Sequence, residues 1–380
     1  MIVFLLAMLL LYGLLHLYLY YKIKAAIAFG TASIVLLICF MAIMVLAPVF
    51  VRISERYGFE SLARHLSYVG YTWMGIAFLF FLCSLLVDAY RLAVFTGGMI
   101  FKANPLSLLP SAQVALLVPA FMAAAIVLYG FFEAVSIRTE RVVIQSPKIP
   151  EQLDKITIAQ ISDVHLGLIV RHGRLKRILR EVERAKPDIM VSTGDLVDGQ
   201  IDNLRGLGEL LRDVDAPYGK FAVTGNHEFY AGLDQALRFT ENAGFTILRH
   251  EALAVAGSLT IAGVDDPTGK RFGLSRGISE QSLLSKIAPE QFTILLKHQP
   301  VVDGNSAGLF DLQLSGHTHG GQIFPFNILV WLFYPVDPGL TRLENGSYLY
   351  VSKGSGTWGP PIRFLSPPEV TIIELVHGRA

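Results

Sequence analysis

Asp163 and His165 stand two positions apart at the end of an apolar run, closing the stretch KITIAQISDVHLG from Lys155 to Gly167. A carboxylate and an imidazole at the tip of a rigid strand make half of a site for a divalent cation. Such a pair arises often by chance, so its company decides what it means. Four further blocks place similar groups after similar runs: DIMVSTGD ends in Asp195, and KFAVTGNHE ends in Asn226, His227 and Glu228. FTILLKHQP carries His298, and DLQLSGHTHGG carries His317 and His319 between glycines. Imidazole nitrogens mixed with carboxylate and amide oxygens suit borderline cations such as manganese, iron or zinc better than calcium or magnesium, which prefer oxygen alone.

The elements that must position these groups can be read from the runs themselves. Each is short, rich in Val, Ile, Leu or Phe, and stops at glycine or a polar cluster, as a buried strand does where it meets a loop. Five strands would therefore present ligands at their carboxyl ends, along one rim of the fold. Leu175, Ile178, Leu179 and Val182 recur at helical spacing between Arg171 and Lys186, with basic residues on the opposite face. That face suits either solvent or anionic headgroups. Further helices are expected over Leu204–Val214, Leu233–Ala243 and Ile278–Ile287, alternating with strands near Phe221, Leu259, Phe292 and Leu312, before a strand-rich end from Tyr348 to Val376. The pattern predicts an α/β (α+β) arrangement of two mixed sheets packed face to face with helices outside. Asp265 and Asp266 follow another strand, but the Asp-Asp-Pro-Thr-Gly context is a turn signal, and both are left out of the expected site.

Taken in order, the five blocks Asp163-x-His165, Gly194-Asp195, Gly225-Asn226-His227-Glu228, His298 and Gly316-His317-Thr318-His319 resemble the signature of the calcineurin-like metallophosphoesterases, over roughly residues 150 to 376. The segment GHTHGGQIFPF and the tail YLYVSKGSGTWGPPIRFLSPPEVTIIEL resemble the branch of transmembrane proteins with a metallophosphoesterase domain. The resemblance implies a four-layer sandwich and two divalent metal ions, with manganese first and iron or zinc as alternatives. It also implies that Asp163, His165 and His319 hold one metal, that Asn226, His298 and His317 hold the other, and that Asp195 bridges them. A phosphoester would then be hydrolysed by metal-activated hydroxide. His227, beside a ligand and assigned to neither ion, is the expected proton donor to the leaving oxygen, with Glu228 orienting its ring.

Composition divides the chain unequally. Residues 1–135 carry eleven charged side chains and the other 245 residues carry fifty-two. Met1–Tyr21, Ala25–Val51, Leu66–Val87 and Ser111–Phe132 hold no charge, and each approaches or exceeds the roughly twenty helical residues that cross a bilayer. The expected domains are a membrane domain of four transmembrane helices (1–135), a linker that becomes an edge strand (136–150) and a phosphoesterase domain (151–380). The first segment lacks a basic leader and a small-residue cleavage site and reads as a retained anchor. Charges are expected between or just outside the segments. Six Lys and Arg (Arg52, Arg56, Arg64, Arg138, Arg141, Lys148) flank one side against four (Lys22, Lys24, Arg91, Lys102) on the other, which favours a cytoplasmic catalytic domain. Lys22 and Lys24 directly after the first segment weigh the other way. Cys39 and Cys83 both lie in apolar segments, so no disulfide framework is expected.

Substrate preference has one pointer. Ile323–Pro335, IFPFNILVWLFYP, has no charge and follows directly on the histidine pair. It is either a core element or a loop that meets the membrane surface or acyl chains. Together with the anchors it points to a phosphorylated lipid or lipid-linked substrate, for which the resemblance offers UDP-2,3-diacylglucosamine or a phospholipid. A tethered phosphodiesterase of soluble nucleotides and a non-catalytic metal-binding scaffold are the alternatives. A net charge of +1 gives no basic stripe for nucleic acid. Polar residues inside the apolar segments are too few for a channel. The oligomeric state is not readable from the residues.

Overall fold

The computed structural model describes residues 2–102, 104, 106–199, 204 and 206–378. Met1, where the first expected segment begins, Arg205 within the helix expected from Leu204, and Ala380, the last residue of the expected third domain, lie outside them. The chain divides into two compact units, one made of the residues up to Phe132 together with Gly359–Ile362 and the other of the rest.

The first unit is helical: α1 (Ile2–Ala26), α2 (Thr31–Arg56), α3 (Glu60–Phe101) and α4 (Ala112–Glu133). Each is long and apolar enough to cross a membrane. The expected third segment, Leu66–Val87, is only the middle of α3, whose 42 residues would extend roughly 60 Å. The charges stand just outside the charge-free segments, as expected, although the helices run on past them. Lys22 and Lys24 lie inside α1, and Asp88 and Arg91 inside α3. Helix continuity survives because the charges find partners: Asp88 accepts from the Lys22 ammonium and, at 2.7 Å, from the Tyr18 hydroxyl. Deeper in the same helix pair, the Trp73 indole donates to His16 Nε2 at 2.8 Å, while His16 Nδ1 meets the Tyr12 carbonyl at 2.8 Å. Such bonds hold apolar helices together where lipid offers no alternative partner.

The second unit contains β1 (Arg138–Ser146), β2 (Ile156–Ile161), α5 (His172–Ala185), β3 (Ile189–Ser192), α6 (Leu207–Arg212), β4 (Lys220–Ala222), α7 (Asn226–Ala231) and α8 (Leu233–Asn242). It continues with β5 (Thr246–Ile247), β6 (Glu251–Val255), β7 (Leu259–Gly263), α9 (Thr268–Arg271), α10 (Glu280–Leu284), β8 (Phe292–Leu296) and β9 (Leu312–Ser315). Last come α11 (Phe326–Phe333), β10 (Gly339–Arg342), β11 (Tyr348–Val351) and β12 (Glu369–His377).

Two six-stranded sheets result, ordered β1-β12-β2-β3-β4-β5 and β10-β11-β9-β8-β7-β6. Strand β2 shows why they stack. All six of its residues are buried: Ile156 and Ile158 enter the core between the sheets with Ile294, Leu312 and Tyr350. Ala159 and Ile161 enter the core beneath α5 with Leu175, Ile178 and Val182. Period-two side chains on a strand covered on both faces must be apolar on both. A third cluster, Ala262, Leu283, Leu284, Leu295 and Phe310, lies on the outer face of the second sheet, completing helix, sheet, sheet, helix. Within each sheet the central strands run parallel, β2-β3-β4 in one and β7-β8-β9 in the other, so the loops that follow them share an edge.

Candidate metal centre

All seven expected ligands follow the carboxyl ends of these strands: Asp163 and His165 after β2, Asp195 after β3, Asn226 after β4, His298 after β8, and His317 and His319 after β9. Five of them, Asp163, His165, Asp195, His317 and His319, have positive φ between 50° and 71°. This left-handed conformation is uncommon for residues other than glycine, and strain of this kind gathers where side chains must be aimed. The flanking glycines allow close approach of the loops. A Cβ at Gly316 would collide with Ser162 Oγ and Asp163 Oδ2, and one at Gly225 with Asp195 Oδ1.

The side chains form two converging groups. In the first, His165 Nε2 lies 3.0 Å from His319 Nε2, which is 3.6 Å from Asp163 Oδ1. In the second, His298 Nε2 lies 3.2 Å from Asn226 Oδ1 and 3.1 Å from His317 Nδ1. Asp195 Oδ2 faces both, 3.7 Å from His165 Nε2 and 3.3 Å from His298 Nε2. The donor set fits two cations that share a carboxylate. His298 Nδ1 meets the Thr193 carbonyl at 2.8 Å, which leaves Nε2 as the nitrogen that faces Asp195, Asn226 and His317 and would take a cation.

Electrostatics agree with that reading. Burial works against the charged form of Asp195, but His298, His227 and His165 outweigh it and hold the carboxylate well below its ordinary range. Burial opposes protonation of His298 too, and Asp195 overcomes it, raising the imidazole well above its usual value. His317 is lowered by burial and by His298, and His319 by burial, His165 and Arg363. A carboxylate that stabilises positive charge on a neighbouring imidazole would stabilise a divalent cation there for the same reason.

His227 Nδ1 is fixed by Asp198, 2.9 Å from its carbonyl and 3.1 Å from its carboxylate. Burial lowers the affinity of this ring for a proton, but Asp195 and Asp198 push it up to about 9. His227 also belongs to a group with His165 and Asp195 whose nearest donor atoms lie within 4.8 Å of one another. The expected role of Glu228 is corrected. Instead of orienting the His227 ring, its carboxylate accepts the backbone N–H groups of Asp195 (3.0 Å), Leu196 (2.8 Å) and Gly225 (2.6 Å). It thus ties the Asp195 loop to the Asn226 loop, while the ring is oriented by Asp198.

Sequence reasoning passed over Asp198, Arg363 and the tyrosine that touches a ligand. Arg363 is wholly buried and donates to the carbonyls of Gly356 (2.8 Å), Ser366 (2.9 Å) and Gly354 (3.3 Å), with Nη2 3.2 Å from His319 Nδ1. Tyr334 Oη lies 2.9 Å from His317 Nε2 and 3.2 Å from Gln299 Oε1, and Gln299 donates to Asp266 at 2.9 Å. Asp266 therefore stands behind the second group, whereas Asp265 pairs with Arg249 at 2.8 Å. The apolar stretch before Tyr334 is neither core nor loop: α11 is a helix with no buried residue, Trp331, Leu332 and Phe333 being 53%, 65% and 80% exposed.

A sequence profile described as calcineurin-like phosphoesterase matches residues 156–321. An "uncharacterized metallophosphoesterase" of Aquifex aeolicus is 43% identical over 256 residues, covering 67% of this chain and 98% of that protein. A "transmembrane protein with metallophosphoesterase domain" of Bos taurus is 29% identical over 330 residues, 80% of this chain and 72% of that one. Matches to metallophosphoesterases of Helicobacter pylori and Campylobacter jejuni cover 64–66% of those proteins. Among solved structures, a 5'-nucleotidase precursor from Thermus thermophilus aligns at 17% identity and a TM-score of 0.36, over 58% of this chain and 54% of that one.

Proposed function

The chain belongs to the calcineurin-like metallophosphoesterases, and from that membership we propose that it hydrolyses a phosphoester or pyrophosphate bond in a lipid-linked substrate, such as UDP-2,3-diacylglucosamine or a phospholipid. One observation carries the lipid reading: an exposed, charge-free helix, α11, ends one residue before the tyrosine that touches His317. An apolar element this close to the reaction centre favours a substrate with an acyl portion.

In this reading Asp163, His165 and His319 hold one divalent cation, Asn226, His298 and His317 the other, and Asp195 is shared. Manganese is the first choice, with iron or zinc as alternatives. Bound there, the pair would neutralise charge on a phosphoryl oxygen and acidify a water. The chain's own part is to deliver a proton to the leaving oxygen. With Nδ1 of His227 tied to Asp198, Nε2 is the nitrogen free to give one. Asp198 fixes the tautomer and the ring plane, and Glu228 keeps the two ligand loops in register.

The test compares rates for manganese-loaded full-length protein on a diacylated substrate in mixed micelles and on a soluble nitrophenyl ester. A clear gain for the micellar lipid is expected. Equal rates, or preference for a soluble nucleotide, would replace the lipid reading with that of a tethered nucleotide phosphodiesterase. The Lys and Arg count supports a cytoplasmic catalytic unit. Protease added outside intact cells should then leave that unit whole, and cleavage would put it on the other side.

A further inference from the structure

Helix α11 is tied at both ends to the loop after β9, which carries His317 and His319. At its start, the Asn327 backbone packs so closely on Gly321 that a Cβ there would collide with it, and Phe326 N–H donates to the Ile323 carbonyl at 2.9 Å. At its end, Tyr334 closes the last turn through Val330 (2.9 Å) and reaches back to His317. With His317 Nδ1 aimed at the donor group, Nε2 bears the hydrogen and donates to Tyr334 Oη, which in turn donates to Gln299. A shift of α11 therefore moves the partner of a ligand.

Apart from Asn327 the helix is apolar: Phe326, Ile328, Leu329, Trp331, Leu332 and Phe333 are all exposed. A helix with no polar face gains little from water on any side, and Trp and Phe favour the bilayer interface. The two units are joined by a short segment: four residues, 134–137, lie between α4 and β1, so the start of β1 is tethered within about 18 Å of the end of a helix able to cross a membrane.

We propose that α11 embeds in the bilayer surface and that Tyr334 transmits this seating to His317, so that turnover depends on membrane contact whatever the substrate. Tyr334 is a positioning residue in this scheme. The inference rests on the phosphoesterase reading but not on a lipid substrate.

The experiment uses full-length, manganese-loaded protein in lipid nanodiscs with a soluble nitrophenyl phosphodiester. The fluorescence difference between wild type and Trp331→Phe isolates Trp331, and lipids brominated near the headgroup should quench most of it. Tyr334→Phe should lower kcat roughly 10-fold with KM unchanged. Phe333→Glu, at an exposed position, should relieve quenching and lower kcat, yet add no further loss in the Tyr334→Phe background, as expected for two residues on one route. Unquenched Trp331, or losses that multiply in the double variant, would overturn the proposal. So would quenching that appears only with a brominated acyl substrate, which would assign the helix to substrate chains. Wild-type protein inactive on the ester with every metal tried would instead strike the phosphoesterase reading.

Discussion

The two ligand groups are built alike but walled differently. Asp163, His165 and His319 are all buried, and the element behind His319 is Arg363, itself without exposure and bound to backbone carbonyls. In the other group only His298 is buried. Asn226 and His317 are only partly buried, and His317 hydrogen-bonds a tyrosine at the end of a surface helix. The first group is backed by a buried side chain and the second by the end of an exposed helix. Damage behind the first should therefore appear in stability, and damage behind the second in rate.

Asp195 belongs to both, so its loss should erase the contrast. Asp195→Asn keeps the shape but removes the charge that faces His165 and His298. We expect at least one metal to be lost on elemental analysis and hydrolysis to fall below detection. Full retention of two metals would show that the groups are independent.

His227→Ala comes next. Because its ring is bound to Asp198 and not counted among the seven ligands, metal content should persist while kcat falls by roughly 10² to 10⁴. Loss of metal together with rate would make His227 a ligand instead, as its place beside His165 and Asp195 allows. Asp198→Asn should have a smaller effect of the same kind, roughly 10- to 100-fold.

These residues were unequally legible in the sequence. The seven expected ligands could be singled out because few residue types bind such metals and each stood just past a strand-like run. Asp198 was within sight, three residues after Asp195 in GDLVDG, and a carboxylate so placed could have been tested as a partner for the unassigned His227. The work of Glu228 was hidden, since its partners are backbone N–H groups that no sequence displays. Helix α11 was ambiguous because an apolar run reads the same whether it fills a core or faces outward; only its neighbours decide, and they are distant in the chain. The membrane segments showed a related blind spot. Charge-free windows gave four helices, but Asp88 does not end α3, because Lys22 and Tyr18 of another helix satisfy it.

Arg363→Met tests the wall of the first group. It leaves the carbonyls of Gly356 and Ser366 buried without the Arg363 donor, while Gly354 keeps the Glu369 N–H, at about 1–3 kcal/mol for each group that finds no other partner. The phosphoesterase unit should melt at lower temperature by calorimetry. An unchanged melting temperature would mean that the first group is no more rigid than the second.

The smallest effect is the sharpest test of the difference. Gln299 stands one step behind Tyr334, accepting from its hydroxyl and donating to Asp266. Gln299→Leu removes both bonds without touching a ligand. Asp266 keeps the Thr268 N–H at 2.8 Å, and the edge of the second group is open enough for water to replace the lost amide, so melting should barely change. Tyr334 would lose one of its two polar contacts and keep the one to His317, so kcat should fall less than the roughly 10-fold expected for Tyr334→Phe. A drop in melting temperature as large as that of Arg363→Met would show that the second group is also walled by the core, and the proposed link from surface helix to ligand would lose its physical basis.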